Sequence, residues 1–251
     1  MEKVALVTGG ASGIGFAIAK SLRDNGIQVA IADLNQEDGE AAAQQLNAEF
    51  FQCDLSVQEN NLSLVKAVAN HFGDIDILVN NAGFQYISPI ESFPENTFNT
   101  MLSVMLTSPF LLTKYCWPYM KKNNWGRIIN IASIHGKTAS PYKSAYVTAK
   151  HGLMGLTKSS ALEGGEFGIT ANTICPAYVK TPLVEKQIAD QANNHNIDRD
   201  QVIKEIMLKK AAIKKMIEPE EIGAMVNYLI SDAGRSITGT SLSIDLGWTA
   251  Q

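Results

Sequence analysis

Apolar runs of four to six residues alternate with longer stretches of helical periodicity along the whole chain. Residues 4–8, 28–33, 50–53, 75–80, 127–132, 170–175 and 241–245 are short and rich in aliphatic or aromatic side chains, which predicts strands. Residues 13–25, 36–47, 57–72, 95–122, 144–167 and 219–230 lie between them and predict helices. The 95–122 helix should bend near Pro109, which has no N–H to give, whereas Pro219 suits the first turn of the last helix. The run 75–80 is apolar enough to be buried on both faces of a sheet.

Alternation of this kind predicts an α/β fold: a Rossmann-type, doubly wound parallel sheet with helices on both faces, in one domain over residues 1–251. One stretch stands outside it. Residues 181–217 are polar, helical in character, and follow the sixth strand, at the strand carboxyl ends where such sheets bind ligands. They read as a small helical lid over a substrate or as a surface elaboration. The Lys209/Lys210 and Lys214/Lys215 pairs within them read as a solvated helix face.

Composition narrows the class. With 45% apolar and 18% charged residues, a chain of 251 residues builds a core without disulfides and is not disordered. A net charge of −4 argues against a dedicated nucleic-acid partner. Cys53, Cys116 and Cys175 have no metal-ligand or CxxC spacing, so no metal is expected and they read as buried thiols in a reducing compartment. Residues 101–113 are interrupted by Ser103, Thr107, Ser108 and Pro109, and are shorter than the roughly 18 residues of a membrane span. No signal peptide is visible, so the expectation is a cytoplasmic protein without a membrane partner.

The first strand runs into TGGASGIG (residues 8–15). Gly9, Gly13 and Gly15 permit a tight turn and close helix packing, and the helix that opens at Ser12, Gly13 and Ile14 offers N–H groups to a pyrophosphate. Asp33 ends the second strand, 18 residues after Gly15, where a carboxylate accepts bonds from ribose hydroxyls and repels a 2′-phosphate. NAD is therefore expected rather than NADP. Asp54 follows the third strand, placed either to meet an adenine amino group or to cap a helix. Ser133 ends a strand, and Tyr146 and Lys150 form an i, i+4 pair on one helix face. A nearby ammonium favours phenolate, so this pair suits proton exchange with a carbonyl or alcohol oxygen that Ser133 also bonds.

With TGGASGIG, Asp54, NNAG (80–83), Ser133, YVTAK (146–150) and CPAYVKT (175–181), the chain resembles the short-chain dehydrogenases/reductases over essentially its whole length. The resemblance implies a seven-stranded parallel sheet, usually a homotetramer. It implies that Tyr146 is the general acid/base, that Lys150 lowers its pKa and holds the nicotinamide ribose, and that Ser133 orients the reacting oxygen. Leu55, Asn81, Val179 and Thr181 fall at cofactor-contacting positions. A narrower resemblance is to the bacterial 3-hydroxybutyrate dehydrogenases within that family. It is carried by residues 81–94, 125–158, 181–192 and 247–251. It implies a small carboxylate substrate (3-hydroxybutyrate or acetoacetate) ringed by Gln85, His135, Lys143 and Gln187, with Trp248 bordering the pocket.

The chain departs from the family at two positions. Met105 stands where relatives carry an asparagine, and Pro109 four residues on offers no N–H to the Met105 carbonyl. That carbonyl is then free to hold a water linked to Lys150. Ala177 stands where relatives carry glycine, which would be strained if φ were positive there. Gly164 and Gly165 should weaken the end of their helix. The alternatives are a relative acting on another small hydroxy acid or ketone, and an NAD-binding protein whose catalysis has decayed.

Overall fold

The computed structural model describes residues 2–195 and 197–250. Met1, Asn196 and Gln251 lie outside the described residues, so one position of the 181–217 insertion and the last of 247–251 do too. The first half is built from β1 (Val4–Thr8), α1 (Gly13–Asp24), β2 (Gln28–Asp33), α2 (Gln36–Leu46), β3 (Glu49–Gln52), α3 (Gln58–Phe72) and β4 (Ile77–Asn80). The second is built from α4 (Glu95–Leu102), α5 (Ser108–Lys122), β5 (Gly126–Ile131), α6 (Ser144–Gly164) and β6 (Ile169–Pro176). It continues through α7 (Pro182–His195), the single turn α8 (Arg199–Gln201), α9 (Pro219–Ile230) and β7 (Ser241–Ile244). Among the described residues the strands form one seven-stranded sheet in the order β3-β2-β1-β4-β5-β6-β7, parallel at every pairing. The order reverses between β1 and β4, and a crevice opens at their carboxyl ends.

Period-two alternation in the strands sends neighbouring side chains to two different cores. Ala5, Val7, Val29, Ile31, Ile77 and Val79 pack with Ile18 and Leu22 of α1 and with Ile222, Val226 and Leu229 of α9. Leu6, Ala30, Leu78 and Ile128 face the other way, onto Leu64, Val65 and Val68 of α3 and Leu112 and Cys116 of α5. Both faces being covered explains why the central strands are apolar without a polar side. Cys53, Cys116 and Cys175 are buried free thiols.

A polar chain crosses this interior beneath the crevice. Asn80 Nδ2 donates to Asn130 Oδ1 (2.8 Å), Asn130 Nδ2 to Thr157 Oγ1 (2.8 Å), and Thr173 Oγ1 to Thr157 Oγ1 (2.8 Å). Buried amides need partners, and these bonds fix β4, β5, β6 and α6 in one register. The position of α6 matters because it carries the Tyr146/Lys150 pair.

Two helices differ from the pattern reading. The 95–122 helix divides into α4, a π-helical turn at Ser103–Thr107, and α5. The Ser108 N–H reaches back five residues to the Ser103 carbonyl, so the ladder widens just before the residue that has no N–H to contribute. The 144–167 helix ends its α-helical course at Gly164 and finishes in the 3₁₀ turn Gly165–Phe167. A Cβ on Gly164 would lie 2.9 Å from the Ile169 carbonyl oxygen and 3.0 Å from Ile169 Cβ. Glycine there permits α6 to close on β6, and is not simply a weak helix end. Gly165 faces open space.

The 181–217 insertion is α7, α8 and the π-helical turn Val202–Met207, packed around Ile188, Val202 and Met207. Its base is tied to the sheet by Lys180 N–H to the Ile217 carbonyl (2.9 Å) and Ile217 N–H to the Tyr178 carbonyl (3.0 Å). No helix among the described residues is long and apolar enough to cross a membrane.

Candidate active site

One cavity of about 570 Å³ occupies the crevice. Its wall gathers Gly9, Ser12, Gly13, Ile14, Asp33, Asp54, Leu55, Asn81, Val179 and Thr181 from the cofactor assignment. It also gathers Gln85, Ser133, His135, Lys143, Tyr146, Lys150 and Gln187 from the catalytic and substrate assignments. These residues run from Gly9 to Gln187 and meet because the parallel strands all end on the same side.

The glycine loop is a cradle that side chains would fill. Gly9 sits at φ +62°, where a Cβ would lie 2.9 Å from Ala82 Cα, and Gly13 at φ +55°, facing Thr181 Cγ2 at 3.2 Å. Gly15 is not in the wall; it lies behind the loop, where a Cβ would fall 2.0 Å from the Gly9 carbonyl oxygen. Ser12 caps α1 without a side-chain bond, leaving the first N–H groups of that helix for an anion. Asp33 Oδ2 accepts the Ala11 N–H (3.1 Å) and Oδ1 the Asn35 N–H (3.2 Å), which holds the carboxylate beside the loop. Among the described residues the lysines in the wall are Lys143 and Lys150 and there is no arginine, so none of these cations stands by Asp33 for a 2′-phosphate. These residues fit a nicotinamide dinucleotide.

Several assigned residues also hold the site together. Asp54 Oδ1 accepts the Ser56 N–H (2.9 Å) and hydroxyl (2.7 Å), so one oxygen is used in a local turn. Asn81 Nδ2 donates to the Thr8 and Gly9 carbonyls (2.9 and 3.0 Å), stitching the end of β4 to the glycine loop. Thr181 Oγ1 accepts the Val184 N–H (3.3 Å) at the start of α7. Thr8 completes the stitch: its Oγ1 accepts the N–H groups of Asn81 (3.0 Å) and Ala82 (3.1 Å). Thr8 opens the glycine motif, but this task is not visible along the chain because the pairing of β1 with β4 is a tertiary fact. Leu34 and Tyr178, also in the wall, carry no signal that singles them out in sequence.

At the catalytic end, Tyr146 is hydrogen-bonded to Ser133. Lys150 is buried, donates to the Ile131 carbonyl (2.7 Å), and stands 5.6 Å from the Tyr146 ring centroid. Burial pushes the Lys150 ammonium down to about 8. Burial also pushes the Tyr146 phenol up, with the Ser133 bond pulling it partly back. The lowered tyrosine pKa expected from sequence is thus not a property of this cavity, because desolvation of the phenolate outweighs the other influences on it.

His135 is pushed down to about 4, first by burial and then by Lys143 and His151, so it is neutral at pH 7. It cannot be a cation for a carboxylate. Among the described residues Lys143, lowered by burial, is the ammonium on this wall besides Lys150. Gln187 Nε2 lies 3.4 Å from Gln85 Oε1, while Gln85 Nε2 is buried with no partner. Val184 and Gln187 bring α7 into the wall, which makes the insertion a cover for the site rather than a remote elaboration. Trp248 is not in the wall: its ring stands behind His135 (6.4 Å between centroids), with Lys210 Nζ 4.8 Å from its centroid. Ala177 is in the wall but not among the non-glycine residues with positive φ, so its methyl causes no backbone strain. Met105 is fully buried, its Sδ 3.0 Å from where a Gly83 Cβ would be.

Comparison with known proteins agrees with this geometry. A family model described as enoyl-(acyl carrier protein) reductase matches residues 9–249. The chain belongs to the short-chain dehydrogenase/reductase family. It is 46% identical to a D-beta-hydroxybutyrate dehydrogenase of Rhizobium meliloti, over 100% of both chains. It is 42% identical to the uncharacterized oxidoreductase YxjF of Bacillus subtilis, over 100% of this chain and 99% of that one. It is 41% identical to a D-beta-hydroxybutyrate dehydrogenase of Cupriavidus necator, over 99% of this chain and 98% of the relative. As a short-chain dehydrogenase/reductase, the protein is an oxidoreductase that works with a nicotinamide cofactor and a small substrate.

Proposed function

We propose that this chain catalyses the NAD-dependent interconversion of (R)-3-hydroxybutyrate and acetoacetate. The observation that carries the reading is that Lys143 and the unpartnered Gln85 amide share one cavity with Ser133, Tyr146 and Lys150. A buried donor without an acceptor costs about 1–3 kcal/mol, which a substrate carboxylate would offset. Lys143 supplies its counter-charge, and Gln85 and Gln187 its neutral donors. The two relatives named for D-beta-hydroxybutyrate support the same choice.

Asp33 would hold the adenosine ribose, the glycine loop and α1 the pyrophosphate, and Tyr146 and Lys150 the nicotinamide ribose; NAD, when bound, supplies the hydride acceptor or donor. Tyr146 gives a proton to the carbonyl oxygen during reduction and takes it back during oxidation, while Ser133 bonds the same oxygen. The Lys150 charge stabilises the phenolate formed in between. Pro109, which offers no N–H four residues after Met105, leaves that carbonyl to hold a water linked to Lys150. From the family resemblance we further propose a homotetramer in the cytoplasm; Phe110 on α5 and Leu162 on α6 are exposed apolar side chains available to such an interface.

The test is NADH formation with (R)-3-hydroxybutyrate, beside the (S) enantiomer and an uncharged alcohol of similar size. Turnover confined to the (R) acid is expected; equal turnover of the uncharged alcohol overturns the anion site. Lys143→Ala and Gln85→Ala should each raise KM for the acid by on the order of 10-fold or more and leave the Kd for NAD within about 2-fold.

A further inference from the structure

Two consecutive asparagines in the first turn of α3 reach back to the wall of the crevice. Asn60 Nδ2 donates to the Asp54 carbonyl (3.1 Å), and Asn61 Nδ2 to the Leu55 carbonyl (3.3 Å). Each bond spans six residues, so the pair grips two successive peptide groups of the turn between β3 and α3. Asp54 and Leu55 line the cavity together with Asp33 and Leu34. The Cys53 N–H donates to the Asp33 carbonyl (2.9 Å), which ties the start of the same turn to β2. Val57 caps α3 without a side-chain bond, so an ordinary helix cap does not order this turn.

Asn61 is fully buried, on a helix that otherwise turns Leu64, Val65 and Val68 into the core. An aliphatic side chain would fill such a position without the cost of desolvating an amide. The amide is satisfied on both sides. Its Nδ2 also approaches the Val57 and Gln58 carbonyls (3.0 and 3.4 Å), and its Oδ1 accepts the Ser108 hydroxyl at 2.6 Å. Carbonyls cannot donate, so the NH₂ must face the turn and the oxygen must face Ser108. Ser108 is 1% exposed and opens α5, so the bond links two helices across the interior.

We propose that Asn61 is a positioning residue for the cofactor: anchored to α5 by Ser108 and assisted by Asn60, it holds the main chain at Asp54 and Leu55 so that the adenosine end of the crevice is formed before the nucleotide arrives. A wall already in place spares the nucleotide the entropy of ordering it. The inference rests on the placement of adenosine beside Asp33 proposed above, but not on which acid the enzyme uses. Neither asparagine lines the cavity, and neither belongs to the motifs that carry the family resemblance.

Equilibrium titration with NAD and with ADP-ribose tests it. Asn61→Leu, similar in volume but without the amide, should raise Kd for both by on the order of 10-fold. At saturating NAD, kcat and the KM for (R)-3-hydroxybutyrate should stay within about 2-fold of wild type. An unchanged Kd for ADP-ribose overturns the proposal, and so does an equal rise in the KM for the acid, which would mean a general loosening. The titrations need no turnover, so they stand apart from the substrate assignment, which fails separately if wild-type protein does not oxidise the acid. Asn61→Leu alone strands the Ser108 hydroxyl in the interior. The double variant Asn61→Leu/Ser108→Ala removes both groups and should recover part of the lost urea midpoint, while the raised Kd persists. Affinity that returns along with stability would make the pair a packing feature and overturn the positioning role. Should Asn61→Leu fail to fold, Asn60→Ala and Ser108→Ala carry the test: each should raise Kd for ADP-ribose by about 3-fold, and unchanged values in both overturn it.

Discussion

Lys150 is the residue at which burial and function pull against each other. Its folded pKa of about 8 lies below the ordinary lysine value, so the ammonium needed beside Tyr146 is lost as pH rises through that point. For ketone reduction, kcat/KM should be flat from about pH 6 to 7 and fall above about pH 8, and Lys150→Arg should shift that limb upward. Tyr146→Phe should remove turnover while leaving nucleotide binding nearly intact, as equilibrium titration with NAD would show; comparable turnover would refute its role. His135 gives a prediction on stability. Its pKa falls from 6.5 to about 4 on folding, so the unfolded chain binds the extra proton first. The stability it contributes is complete above about pH 6.5 and is lost as pH falls toward 4, about 3 kcal/mol across the window. Urea unfolding of wild type and His135→Gln at pH 7 and 4.5 should show the steeper loss in wild type.

Among the elements, α6 carries the catalytic pair, and its ends are set by contacts that a helix pattern does not reveal. Gly165→Ala meets open space and should be neutral or stabilise by up to about 1 kcal/mol. Gly164→Ala would push against the Ile169 carbonyl and separate α6 from β6, costing about 1–3 kcal/mol. Chemical denaturation of the two variants separates these outcomes, and equal effects would refute the close approach. The 95–122 stretch teaches the same lesson. The helix and the disturbance by Pro109 were legible, but the π-helical turn at Ser103–Thr107 depends on how the ladder accommodates the missing N–H inside packed surroundings.

For the whole molecule, the charge distribution of the cavity predicts cofactor choice. Among the described residues the wall's cations are Lys143 and Lys150, both at the catalytic end, so none of them stands by Asp33 to relieve its repulsion of a 2′-phosphate. Like charges so placed cost several kcal/mol, and kcat/KM should favour NAD over NADP by about 100-fold or more. Asp33→Ser should narrow the ratio. Leu162 on α6 is exposed apolar surface, and if the proposed homotetramer uses it Leu162→Glu should lower the sedimenting mass below that of four 27.2 kDa chains; an unchanged mass takes Leu162 out of the interface.

Strand and helix alternation, the glycine loop, Asp33 and the Ser133, Tyr146 and Lys150 set were all readable along the chain. Each rests on local periodicity, on a turn that only glycine makes, or on side chains four residues apart on one helix. Tertiary structure decided what those groups experience. It buried Tyr146 so that its pKa rises, made His135 neutral, and placed Trp248 behind the wall. It also joined Thr8 to Asn81 across two strands and set Ser108 against the Asn61 amide oxygen. Desolvation and hydrogen-bond partnership depend on what the rest of the fold brings near a group, and no spacing along the chain encodes that distance.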